Sequence, residues 1–252
     1  MAMRRVLVGS VLAVGVALTT VAGTGSVVAQ DGSVEGCARW ASSTVAAGYG
    51  ILENLAFDGR GGMLLSEVPA SGVGGALRRL GSDGSRTELA QASSPGGFVV
   101  SRDLGSPNTL TRIDADGVGA RPFVTELTST NGLAYDGIRR KLFVSTTFEP
   151  VTTLAAIDLA QPDAAPARIT VPGFGPLNAA DDLTVGPDGA VYLALNAAGR
   201  VLRIDPDSAR TCVVADGIPF ATSARFGAGP GWDPGALYVT SFTGAITRLT
   251  PP

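Results

Sequence analysis

The sequence predicts an all-β fold, a β-propeller assembled from four-stranded blades, and three observations carry that expectation. A strand, a Gly/Asp turn and a second strand recur as one phrase four times along the chain. A further strand class recurs five times, its last residues stepping by 33, 44, 47 and 45. No long run of 3.6-residue apolar periodicity interrupts the short segments rich in Val, Leu, Ile, Thr and aromatics. Four short strands in roughly 45 residues is the period of a propeller blade. A β-sandwich is the competitor, but it has no reason to repeat the same phrase at this spacing.

The hairpin phrases come first in each unit. Asn54 to Phe57 leads through Asp58-Gly59-Arg60-Gly61-Gly62 to Met63 to Ser66, and Asn131 to Tyr135 leads to Lys141 to Ser145. Asp182 to Val185 leads through Gly186-Pro187-Asp188-Gly189 to Val191 to Ala194, and Ser223 to Phe226 leads to Ala236 to Thr240. Asp-Gly and Pro-Asp-Gly supply the turn geometry a hairpin needs. The third strands are Ala76 to Leu80, Thr109 to Ile113, Thr153 to Ile157, Arg200 to Ile204 and Ala245 to Leu249. Fourth strands follow at Arg86 to Leu89, Arg121 to Val124, Arg168 to Val171 and Thr211 to Val214. The last unit stops at its third strand, so its fourth is expected from Cys37 to Ala47, which would cover the free edge. The count is five blades, the second of them short, with Ser93 to Val100 where a full hairpin belongs.

Ahead of the repeats, Met1 to Arg5 is a basic start, Val6 to Leu18 an apolar run, and Val27-Val28-Ala29 a small-residue close. That order describes a secretory signal peptide cleaved after Ala29. The apolar run is shorter than the roughly 20 residues a membrane-spanning helix needs. Residues 30–252 are then one exported domain of 223 residues with a formal charge of −5. Such a balance offers no surface for nucleic acid, and no membrane attachment is expected after cleavage. Oligomeric state is not written in the sequence. In an oxidising compartment the two cysteines, Cys37 and Cys212, either form the single possible disulfide or remain two separately buried thiols; export favours the bridge. Trp40 and Trp232 are expected to serve blade packing.

The composition excludes much chemistry, because the chain has no histidine. Ser-His-Asp and Cys-His catalysis, a His general base and His-ligated zinc are all ruled out. What is left is carboxylates, amides, hydroxyls, Arg, Tyr, Cys or a bound metal. Glu53, Asn131, Asp181 with Asp182, and Thr222 or Ser223 stand just before the innermost strands of four units, aimed at one axial funnel. Hard oxygen ligands with net negative charge suit calcium, or magnesium with retained waters. Asn-Gly and Asp-Asp are also ordinary turn residues, and singly each reads as well that way.

The phrases Glu53-Asn54-Leu55-Ala56-Phe57, Thr130-Asn131-Gly132-Leu133-Ala134-Tyr135 and Ala180-Asp181-Asp182-Leu183-Thr184-Val185-Gly186-Pro187-Asp188-Gly189 resemble the gluconolactonase/senescence-marker-protein (regucalcin-like) family. Gly199 to Pro206 and Gly235 to Ser241 fit it as well. The resemblance implies a six-bladed propeller with a central divalent cation (Ca2+, or Mg2+, Zn2+ or Mn2+) and hydrolysis of a lactone or related ester. It assigns Glu53, Asn131 and Asp181 to the metal, and Asp181 also to the role of general base. This chain departs from the pattern in three places. Asp181 is followed by Asp182 instead of Gly, Glu53 by Asn54 instead of Gly-Pro, and a second Asn ligand would fall where only Ser93 and Ser94 offer an oxygen. The alternative is a secreted binding or scaffold propeller that kept the fold with a degenerate metal site.

Overall fold

A computed structural model describes residues 37–68, 74–92, 107–113 and 120–252. The expected signal peptide (1–29), Ser93-Ser94 and the rest of the Ser93 to Val100 segment lie outside these residues. Eighteen strands and a single one-turn helix make up the described fold. In chain order they are β1 (Ala41–Ala46), β2 (Ile51–Phe57), β3 (Gly62–Val68), β4 (Gly75–Gly81), β5 (Arg86–Ala92), β6 (Pro107–Ile113), β7 (Ala120–Thr128), β8 (Thr130–Asp136), β9 (Lys141–Thr146), β10 (Val151–Asp158) and β11 (Ala167–Phe174). Helix α1 (Gly175–Asn178) precedes β12 (Ala180–Val185), β13 (Val191–Leu195), β14 (Arg200–Ile204), β15 (Thr211–Asp216), β16 (Ala221–Phe226), β17 (Leu237–Ser241) and β18 (Ile246–Thr250). Among the described residues no helix is long and apolar enough to cross a membrane.

These strands form antiparallel sheets β2-β3-β4-β5, β8-β9-β10-β11, β12-β13-β14-β15 and β1-β18-β17-β16, with β6-β7 as a two-stranded sheet. The fold is propeller-like, and every recurrent phrase in the sequence falls on the strand expected for it. β1 comes from the start of the described chain and pairs with β18, Ala41 opposite Thr250, as the truncated last unit required. It lies as the outermost strand, exposed over most of its length, whereas β13 and β17 are buried throughout.

Consecutive sheets meet face to face, and their alternating apolar residues form separate cores between them. Phe143, Leu154 and Ile169 pack against Leu183, Leu193 and Leu202. Tyr192, Val201 and Val214 pack against Ala224, Val239 and Leu249. Leu52, Leu55, Met63 and Leu65 pack against Tyr238, Trp232 and Ile246. Leu127 of β7 joins Val144, Ala155 and Ile157. Both tryptophans serve these layers, Trp40 at 5.4 Å from the Tyr192 ring and Trp232 at 5.5 Å from Phe57. Hairpin turns close as the sequence dictates: Gly189 takes φ 74° and returns its N–H to the Gly186 carbonyl at 2.9 Å.

Inner strand β12 lies beside β8 on one side and β16 on the other, and β16 lies beside β2. The approach of β8 to β12 requires a glycine. A Cβ on Gly132 would stand 2.6 Å from Asp182 Cα and 2.7 Å from the Asp181 carbonyl oxygen, both rigid backbone atoms. Gly132→Ala is therefore expected to force the two inner strands apart at a cost of about 1–3 kcal/mol. The check is the denaturant midpoint; an unchanged midpoint would mean the strands separate freely.

Candidate functional site

The sequence expectation placed the polar candidates just ahead of the inner strands. They lie within them, at a feature repeated in four sheets. Pairing slips between Leu52 and Leu55, between Thr130 and Leu133, between Ala180 and Leu183, and between Ala221 and Ala224. The residues inside those slips are Glu53-Asn54, Asn131-Gly132, Asp181-Asp182 and Thr222-Ser223. A bulge leaves its extra residue out of the ladder and re-aims its side chain, so the repeated irregularity is what presents these groups at one end of the sheets.

Backbone groups released by a bulge need other partners, and hydroxyls from neighbouring strands supply them. Ser145 Oγ donates to the Asp181 carbonyl at 2.6 Å while accepting from the Gly132 N–H at 2.7 Å. Thr147 Oγ1 donates to the Ala180 carbonyl at 2.7 Å, and Thr222 Oγ1 to the Leu52 carbonyl at 2.9 Å. Each bridge ties a bulge to the adjoining sheet.

The two aspartates of β12 have opposite environments. Asp182 is buried and fully engaged: Ser223 Oγ donates to it at 2.6 Å, its own Leu183 N–H at 2.8 Å, and Arg225 forms an ion pair at 2.7 Å. Arg225 also donates to the Leu183 and Ala224 carbonyls, both at 2.8 Å. Asp181 is equally buried and has only amides, a hydrogen bond from Asn131 and one from Asn196 Nδ2 at 3.4 Å. Burial, then Glu53, then Asp182 push its carboxyl up to about 8. Burial and the Asp182 charge also raise Glu53.

The family described as SMP-30/Gluconolactonase/LRE-like region matches residues 90–243. The chain belongs to this family. Among solved structures, its fold is similar to a calcium-binding protein, regucalcin, from Agrobacterium tumefaciens, at 13% identity over 84% of this chain and 94% of that one, with a TM-score of 0.62. It is similar to a protein described as a gluconolactonase at 16% identity, covering 83% and 91% of the two chains, with a TM-score of 0.59. Virginiamycin B lyase from Staphylococcus aureus is similar at 12% identity over 84% and 99%, with a TM-score of 0.50. Identities this low speak for shared fold. No protein of curated function matches the chain.

Within this gluconolactonase-family chain, the expected set Glu53, Asn131 and Asp181 is partly brought together. Asn131 bonds to Asp181, and the Asp181 carboxyl feels the charge of Glu53. Asp182, which stands where the resemblance implies a glycine, is turned to Arg225 and Ser223 and is not a free ligand. Among the described residues no group of three acidic or thiol side chains converges to hold a metal ion. What remains is two carboxyl groups with no cationic partner among the described residues and an amide, an oxygen-only set. That chemistry fits a hard divalent cation completing its shell with water.

Two functional partners escaped the sequence. Asn196 follows β13 and Arg225 lies in β16, and neither was singled out among the candidates. The signal for Arg225 was the doubled aspartate: a second buried carboxylate demands a cation. Arg225→Ala should cost about 2–3 kcal/mol by leaving Asp182 buried without its counter-charge. Urea unfolding measures it, and a loss below about 0.5 kcal/mol would class the pair with ordinary surface ion pairs.

Proposed function

We propose that the chain is an exported, divalent-metal-dependent hydrolase that opens a lactone or a related ester. The observation that carries this reading is Asp181, a buried carboxyl with amide donors, a second carboxylate nearby and no cation of its own. Family membership supports the reaction class. Glu53, Asp181 and the Asn131 amide oxygen would hold the ion, calcium being the first candidate. Bound there, a divalent cation supplies Lewis-acid polarisation of a carbonyl. Asp181 is the group placed to take a proton from water as that water adds to the carbonyl carbon. The ring C–O bond then breaks, the proton passes to the departing alkoxide, and lactone plus water become a hydroxy acid. Asn131 and Asn196 orient the Asp181 carboxyl, and Ser145 fixes the backbone that carries it.

Export is supported by the Cys37–Cys212 disulfide, with Cα atoms 5.5 Å apart, together with the leader-like composition of residues 1–29. Cleavage after Ala29 is read directly by the N-terminus of the mature protein.

The test is calcium titration calorimetry on chelator-stripped protein, followed by a lactone screen. Saturable binding in the wild type, weakened at least tenfold in Glu53→Gln and in Asp181→Asn, is expected. Equal affinity in both variants would remove these residues from the metal. No binding of calcium, magnesium, zinc or manganese to the wild type would favour the binding-module reading.

A further inference from the structure

We infer that the substrate of this site carries an apolar alkyl or aryl arm held by Phe148, Leu177 and Phe220, in place of the hydroxyl-rich ring of a sugar lactone. The inference rests on the reading of Asp181 given above and names the substrate class for it.

All three side chains sit on connecting segments at the end of the sheets where the bulges present the site. Thr147 is hydrogen-bonded to the Ala180 carbonyl, next to Asp181, and Phe148 N–H donates to Ser129 Oγ at 3.1 Å, two residues before Asn131. Leu177 belongs to α1, which runs directly into β12 and Asp181. Phe220 immediately precedes β16, three residues before Ser223. Their exposures are 41% for Phe148, 70% for Leu177 and 52% for Phe220. Single exposed apolar residues need no explanation, but three at the end of the sheets that carries the bulges, each on a segment leading into or bonded to them, call for one. Phe220 also takes φ 54°, a left-handed backbone that a bulky residue adopts only when its surroundings impose it.

The polar side chains of the same loops are turned inward. Glu149 accepts from Thr128 and Thr153 and pairs with Arg168, and Asn178 donates to Thr152 Oγ1 and the Pro172 carbonyl. A polyol ring needs unengaged donors and acceptors to replace its hydration; these loops offer it aromatic and aliphatic surface instead. An alkyl arm leaves water for that surface with gain.

The experiment measures kcat/KM for γ-lactones with alkyl arms of increasing length beside an aldonolactone. In the wild type, kcat/KM is expected to rise about threefold per added methylene until the rim is covered, with the aldonolactone the poorer substrate. The double variant Phe148→Ser/Phe220→Ser should flatten the dependence on chain length. Ile138→Ser, which changes an exposed apolar residue in the β8–β9 turn at the opposite end, should leave the slope as it is. Aldonolactone preferred, or hydrolysis indifferent to arm length, overturns the inference and leaves the hydrolase reading standing. If no lactone is opened, the hydrolase reading fails, and calorimetry with an octyl-substituted lactam decides the inference separately. Lactam binding that weakens in the double variant supports the apolar rim, and no binding overturns it.

Discussion

Asp181→Asn is expected to stabilise the chelator-treated protein at pH 8 by as much as about 5 kcal/mol while abolishing its response to calcium. The wild-type carboxyl has an ordinary value of 3.8 when unfolded and about 8 when folded. Below the lower value it is protonated in both states and costs nothing. As pH rises towards 8, the unfolded chain ionises freely and the folded one does not, so wild-type stability falls through that window by about 1.4 kcal/mol per unit. Asparagine does not titrate, and the variant should gain on the wild type progressively from pH 4 to pH 8. Added calcium should reverse the order, because a ligand stabilises only the form that binds it. Thermal unfolding across pH, with chelator and with calcium, gives both readings. A wild type as stable at pH 8 as at pH 5 in chelator would mean that Asp181 is not held in an apolar, negatively charged setting.

Loss of the Cys37–Cys212 bridge is expected to have a comparable effect. The cystine spans a sequence separation of 175 residues, and closing a loop of that length is worth up to about 5 kcal/mol in the chain-entropy model. The bridge also anchors the segment leading into β1, where Trp40 N–H donates to the Val214 carbonyl at 2.9 Å and the Trp40 ring meets Tyr192 and Phe226. Cys37→Ser/Cys212→Ser should lower Tm by about 10 °C or more, with β1 the first element to lose hydrogen-exchange protection. An unchanged Tm would mean that strand pairing and Trp40 hold the segment without the bridge.

The strands were legible because each unit writes its turns in Gly, Asp and Pro and its strands in β-branched residues, a code read locally. The covering strand was legible for a different reason: the last unit lacks one, and only the segment after Cys37 was left to fill it. The site was legible in its residue types but not in its geometry. Glu53, Asn131 and Asp181 could be picked out as polar residues at equivalent positions. That they occupy bulges could not, because a bulge depends on how two strands pair and not on either alone. The fate of Asp182 was hidden for the same reason. Its partners Ser223 and Arg225 lie some forty residues away on the next sheet, and no local spacing announces the contact.

The pairing of β1 with β18 has a consequence for biosynthesis. β1 leaves the ribosome first among the described strands, yet its partner is the last to emerge, so it must wait through synthesis of the whole domain without a neighbour. An unpaired strand is a template for aggregation, and the hazard grows with hydrophobicity and β-propensity. The waiting strand reads Ala-Ser-Ser-Thr-Val-Ala, small and largely polar, with one branched aliphatic residue. The chain thus assigns its longest delay to a strand with little apolar surface, and Cys37 can meet Cys212 only after nearly all of the polypeptide has been made.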